Sequence, residues 1–246
     1  MNRHGLKHTK ALFIAMLFSG LSGCLFMPFS EPIPTENSAS NHHPKNCPRA
    51  RIYAMRGFLD VFSTGLHGLT EKIEKKLLIH AKPLSYLEEN RLSTFLIKKY
   101  HSEPCKTPIV LIGHSYGADE QITVAKKLNE AHIPVALLIT LDHTRPQSIP
   151  SNVQIYYNIN SGKSIISGII PWGCSMNSQK NCTQMHQVDL VKNKGFRRVN
   201  HFNIDKLPEI HHYIIEIIES EVIRNHYDTP AWRRCYLESI KPKKDH

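Results

Sequence analysis

Residues Pro108 to Gly117 read P-I-V-L-I-G-H-S-Y-G. An apolar run enters a Gly-x-Ser-x-Gly turn, the layout of a nucleophile elbow, in which a sharp strand-to-helix turn exposes a serine hydroxyl. The serine is Ser115. Gly113 and Gly117 are expected there because the turn brings strand and helix backbones too close for a Cβ. Pro108–Ile112 has the length and β-branched content of a buried parallel strand. Ala118–Ala131 follows with Ile122, Ala125, Leu128 and Ala131 at helical spacing. Strand, turn and helix thus stand in the order the motif requires, although a Gly-Ser pentapeptide can also be an ordinary loop.

Working outward, the start of the chain reads as an address. Arg3, Lys7 and Lys10 precede a short apolar core, Ala11 to Phe18, which is too short to span a bilayer as a helix. Leu21-Ser22-Gly23-Cys24 follows and resembles the bacterial lipobox. That resemblance implies cleavage before Cys24 and lipid attached to its thiol. Ordinary cleavage with an unmodified Cys24 is the alternative. Residues 24–49 are rich in Pro, Ser and Asn and read as a flexible tether. The domain is expected at residues 50–246, long enough for one full core.

Removing residues 1–23 takes away three Lys/Arg and no Asp/Glu, so the net charge falls from +10 to +7. The remaining charge is spread out, with no basic stripe for nucleic acid, and none is expected as a partner. Beyond Cys24 stand Cys47, Cys105, Cys174, Cys182 and Cys235. Export makes disulfides plausible, and Cys174 with Cys182, bracketing a short polar loop, is the best pair. No cysteine spacing matches a zinc site. No phosphate loop, dinucleotide fingerprint or calcium loop occurs, so neither metal nor cofactor is expected.

Further strands are expected at Arg51–Phe58, Leu77–His80, Pro134–Leu141 and Asn152–Asn158, with shorter candidates at Val188–Lys192 and Gly195–Val199. Helices are expected at Ser63–Lys76, Ser85–Tyr100 and Leu207–Ile223. This alternation predicts an α/β fold: a mainly parallel sheet of about six strands with helices on both faces. The site of such a sheet lies at the carboxyl ends of its strands.

A serine hydroxyl needs a base to take its proton and an acid to orient that base. Between His143 and Asn200 the only acidic residue is Asp189, and the fifth strand ends in Asn158-Ile159-Asn160. Asp142, at the end of the apolar fourth strand, is therefore the chosen acid, with Asp189 in reserve. The base candidates are His186, His201, His211 and His212. His201 is preferred because it lies between a strand and the last helix. His114 and His143 are expected only to shape the pocket, and Asp205 to cap the final helix. For an oxyanion hole the amides of Tyr116 and Phe58 are the candidates, with Gly57 allowing close approach.

G-H-S-Y-G, T-L-D at 140–142 and N-H-F-N-I-D at 200–205 together resemble the α/β-hydrolase superfamily over roughly residues 50–225. An acid one strand after the nucleophile is similar to the thioesterase domains of that superfamily. The chain also resembles small bacterial lipoproteins of this fold. It departs from the full fold in lacking the usual first two strands and a long apolar lid. The resemblance implies a Ser115–His201–Asp142 hydrolase acting on a small-molecule ester or thioester, held at the cell envelope by lipid and facing the periplasm, at the outer membrane. A peptidase or amidase on the same residues and a non-catalytic binding lipoprotein remain open, because fold does not fix function.

Overall fold

The structure is a computed structural model describing residues 50–58, 63–103, 106–162, 184–194, 196 and 198–224. The expected signal, Cys24 anchor and tether, the expected Cys174–Cys182 pair and every other cysteine lie outside these residues.

The order of elements is β1 (Arg51–Met55), α1 (Gly65–Leu77), β2 (Ala81–Leu84), a 3-10 turn (Tyr86–Glu88), α2 (Glu89–Ser102), β3 (Ile109–His114) and α3 (Tyr116–Glu130). Then come β4 (Val135–Leu141), β5 (Val153–Asn160), β6 (Gln184–Asp189), α4 (Leu190–Lys194) and α5 (Pro208–Ile218), which runs into a π-helical turn (Glu219–Arg224). The six strands form one sheet in the order β2-β1-β3-β4-β5-β6. Every pairing is parallel.

Period-two alternation along the central strands explains the layers. Ile52, Ala54, Val110, Ile112, Leu137 and Ile139 face one side and pack with apolar residues of α1 and α5. Tyr53, Met55, Ile109, Leu111 and Leu138 face the other and pack with α2 and α3. A sheet covered on both faces needs strands that are apolar throughout, and β3 is buried at all six positions. Each such Leu or Ile contributes about 1.5–3 kcal/mol by burial.

Two strands differ from expectation. Leu77 ends α1 instead of starting a strand, because Leu78 turns left-handed (φ 55°) and its amide closes on Glu74 O at 3.0 Å. The second strand begins at Ala81 and includes Pro83, which is tolerated because β2 is an edge strand. The last strand is Gln184–Asp189, not Val188–Lys192, which turns into α4. No strand forms among the described residues of the expected segment Gly195–Val199. The edge strand β6 reads Q-M-H-Q-V-D, and four of its residues are intermediate in exposure or fully exposed before Val188 is buried. An apolar signal is therefore weak there.

Candidate active site

The carboxyl ends of β1, β3 and β4 meet at Ser115. Its backbone adopts φ 58° and ψ −129°, a conformation costing on the order of 1–3 kcal/mol for a residue with a Cβ. Neighbouring strands hold it there. Ser115 N donates to Leu141 O at 2.9 Å. A Cβ on Gly113 would fall 2.4 Å from Ala118 Cα. On Gly117 it would fall 2.3 Å from Arg56 O and 2.4 Å from Met55 O. The first glycine thus serves strand-to-helix contact, as expected, and the second lets α3 start against the end of β1.

Ser115 Oγ lies 3.0 Å from His201 Nε2. On the far side of the ring, His201 Nδ1 lies 3.5 Å from Asp142 Oδ2. That separation is looser than a formed hydrogen bond, and such contacts tighten when substrate binds. Asp142 and His201 are 1% and 4% exposed, whereas Ser115 is only partly buried. The serine therefore stands toward solvent with its partners behind it.

Asp142 is held by two hydrogen bonds. Its amide continues the β4–β5 ladder to Ile159 O at 3.0 Å, and its Oδ1 accepts the Ser161 amide at 2.8 Å. Its φ of 45° turns the chain sharply at the strand end. The loop that follows is clamped to the elbow helix by Asp119. This buried carboxylate accepts the Thr144 hydroxyl, the amides of Thr144 and Arg145 at 3.3 and 3.1 Å, and Gln147 Nε2 at 3.3 Å. His201 is held by the two asparagines of N-H-F-N. Asn200 Oδ1 accepts the Phe202 amide at 2.9 Å, and Asn203 Oδ1 accepts the Asn200 amide at 2.7 Å.

The other candidates go elsewhere. Asp189 Oδ1 accepts the amides of Val191 and Lys192, both at 3.0 Å, as the cap of α4. His186 stacks on Tyr157 with ring centres 4.2 Å apart. His211 Nε2 donates to Asp205 O at 2.6 Å, and burial lowers its pKa. His212 pairs with Glu216 on the exposed face of α5. His143 Nδ1 meets Arg145 O at 3.0 Å beside the Asp119 clamp. Asp205 does not cap the final helix. Its Oδ2 accepts the Gly65 amide at 2.8 Å, capping α1 instead, and the N-cap position of α5 is Leu207 with no side-chain bond.

Tyr116 is the first residue of α3, so its amide has no partner inside the helix. The 56–58 loop runs alongside, since a Cβ on Gly57 would sit 2.9 Å from Ser115 Cβ. The Gly57 amide is taken by Ser63 Oγ at 2.9 Å, which leaves Phe58 as the residue of that loop whose amide can serve an oxyanion. The rings of Phe58, Tyr86 and Tyr116 contact one another at 5.3–6.4 Å. Phe202 lies edge-on to His201 at 5.6 Å, and Phe58 and Phe202 are 53% and 40% exposed. Apolar surface therefore flanks the serine. Among the described residues, no group of three or more His, Cys, Asp or Glu could hold a metal ion.

Chemically, this arrangement can move a proton from Ser115 Oγ to His201 Nε2 while Asp142 faces the charge that develops on the ring. Ser63, Asp119 and Ser161, which support it, carried no recognisable signal in the sequence, and the signal at Asp205 pointed to the wrong helix.

No protein-family model and no curated protein matches the chain. Among solved structures it is similar to the thioesterase domain that cyclises the lipopeptide antibiotic surfactin. The identity is 14% and the TM-score 0.45, over 69% of this chain and 90% of that one. It is similar to a hydrolase of the α/β superfamily from Xanthomonas campestris pv. campestris at 10% identity and TM-score 0.42, over 70% and 99% of the two chains. It is also similar to an acetylxylan esterase at 11% identity and TM-score 0.42, over 72% and 99%. With an all-parallel six-stranded sheet in the order β2-β1-β3-β4-β5-β6 and a serine elbow leaving β3 for α3, the chain has the fold of the α/β-hydrolase superfamily.

Proposed function

We propose that this protein is a serine hydrolase that cleaves a carboxylic ester or thioester through an acyl-enzyme. The observation that carries the reading is Ser115 Oγ 3.0 Å from His201 Nε2 on a strained elbow, with Asp142 on the other ring nitrogen. His201 takes the Ser115 proton as Oγ attacks the carbonyl carbon. The oxyanion is received by the amides of Tyr116 and Phe58. His201 then returns the proton to the leaving alkoxide or thiolate, and acyl-Ser115 remains. Water, deprotonated by His201, attacks the acyl carbon, the bond to Ser115 Oγ breaks, and His201 returns the proton to Oγ as the acid leaves. Phe58, Tyr86, Tyr116 and Phe202 offer apolar contact for the acyl group. The lipobox-like L-S-G-C at 21–24 supports a lipid anchor on Cys24 and a place in the cell envelope.

Labelling with a fluorophosphonate probe tests the reading. Wild type is expected to label and Ser115→Ala to lose the label while keeping its thermal transition. Equal labelling of the two, or none of the folded wild type, sinks the hydrolase assignment.

A further inference from the structure

His114 precedes the nucleophile and takes no part in the steps above, yet it is among the most enclosed polar residues, at 1% exposure. Its two nitrogens have different partners. Nδ1 lies 2.8 Å from Ser63 Oγ, and Nε2 lies 2.9 Å from the backbone carbonyl of His201. Ser63, itself 1% exposed, also accepts the Gly57 amide at 2.9 Å.

The directions of these bonds follow from the groups alone. A carbonyl oxygen only accepts, so His114 Nε2 carries a hydrogen. A neutral ring with Nε2–H has a bare Nδ1, which must accept. Ser63 Oγ then donates its one hydrogen to Nδ1 and uses a lone pair for the Gly57 amide. The chain reads Gly57 N–H to Ser63 O–H to His114 Nδ1, then His114 Nε2–H to the His201 carbonyl. Every polar group in it is satisfied, in a place that water does not reach. Burial, with His201 beside it, lowers the His114 pKa to about 3, so the neutral form the bonds require is the one present near neutrality. The charged or titratable groups facing it are the His201 ring at 4.9 Å and Asp205 Oδ1 at 3.9 Å, and the charges of Asp142 and Lys206 also act on it.

This chain joins two loops that the reaction needs in register. One end is the 56–58 loop, which offers the Phe58 amide. The other is the backbone of the base itself. The link passes through the residue next to the nucleophile, so the three parts share one buried bond path.

We propose that Ser63 and His114 are positioning residues that hold the oxyanion loop and the His201 backbone at a fixed separation around Ser115. The proposal rests on the hydrolase reading. It predicts that breaking the path slows the chemical step and leaves ground-state binding nearly unchanged, because neither residue touches substrate. Small displacements of reacting groups cost up to about 100-fold in rate.

The test has two arms on the full chain. In the first, long-range 1H–15N spectra of the imidazoles follow His114, assigned by its loss in His114→Gln. Wild type is expected to show a single neutral Nε2–H ring from about pH 5 to about pH 8. Ser63→Ala is expected to move the Nδ1 resonance toward that of an unbonded nitrogen. A His114 that titrates in this range, or that holds its proton on Nδ1, overturns the path. This arm does not depend on activity, so it decides the path even if wild type hydrolyses nothing, an outcome that would remove the hydrolase reading and the positioning role with it. The second arm measures turnover of p-nitrophenyl acyl esters. Ser63→Ala is expected to lower kcat roughly 10- to 100-fold with KM within about twofold, and Ser63→Thr, which keeps the hydroxyl, to recover most of the loss. A Ser63→Ala enzyme with wild-type kcat overturns the proposal, as does a folded Ser63→Thr enzyme no better than Ser63→Ala.

Discussion

Two Ser, His, Asp groupings stand side by side at the same end of the sheet, and they are wired differently. In Ser115, His201 and Asp142, serine and carboxylate face opposite ring nitrogens, at 3.0 and 3.5 Å. In Ser63, His114 and Asp205, serine and carboxylate both approach Nδ1, at 2.8 and 3.9 Å, and Nε2 is given to a backbone carbonyl. The first serine is partly exposed, while the second group is sealed at 1% exposure or less. The same three residue types thus form an arrangement that can pass a proton in one place and a sealed set of bonds in the other. A constellation becomes reactive only when the base has one nitrogen for the nucleophile and the other for the acid, with an opening to solvent.

The largest expected effect separates the two aspartates. Asp142→Asn removes the carboxylate behind His201 and is expected to lower kcat on the order of 10³- to 10⁴-fold. Asp205→Asn is expected to stay within a few-fold of wild type, and so is Asp189→Asn, whose carboxylate caps α4. Ester turnover decides it, and loss in Asp189→Asn alone would move the acid to β6.

The next effect tests how rigidly the sealed group is mounted. A Cβ on Gly65 would fall 2.1 Å from Asp205 O, a backbone atom that cannot swing aside. Gly65→Ala is expected to lose about 3 kcal/mol of stability in urea unfolding, at the upper end for overpacking. Wild-type stability would show that α1 can slide away from the 201–206 turn.

The third contrasts how the sealed pair responds to pH. Burial raises the Asp205 carboxyl from 3.8 to about 6 despite the Gly65 amide. A raised carboxyl contributes stability that is full below about pH 4 and is lost as pH rises through about 6. His114, lowered from 6.5 to about 3, acts oppositely: the folded state refuses a proton that the unfolded chain takes, so its contribution grows as pH rises through that window. In wild type the two slopes offset between about pH 4 and pH 6. Asp205→Asn removes one of them, so its stability relative to wild type is expected to climb across that window by on the order of 2–3 kcal/mol. Parallel pH–stability curves from chemical denaturation would contradict this account of Asp205.

Much of the Ser115 group is legible in the chain. The apolar run of β3 and the glycines at 113 and 117 specify a local turn through short-range sterics. Asp142 follows from the scarcity of acids after it and from the strongly apolar strand before it. His201 is marked by position, and its two asparagines act within three residues of it. The sealed group is a different matter. Asp205 binds the Gly65 amide 140 residues earlier, and Ser63 meets His114 across 51. At Asp205 a local reading favoured the adjacent helix, and the packing of α1 against the 201–206 turn prevailed. Likewise β2 and β6 were expected about four residues from where they lie, because edge strands need only one partner and one apolar face, so their sequences carry Pro83 and polar side chains that a central strand would reject.

The amino-acid sequence by itself determined the α/β alternation, the strained turn at Ser115 and the shortlist of its acid and base, because these depend on side-chain periodicity, on where a Cβ is forbidden and on which residue types exist downstream. Only the tertiary structure decided which nitrogen of which histidine faces which partner. That choice is made by backbone carbonyls and amides brought together from distant strands, and no run of sequence encodes their separation.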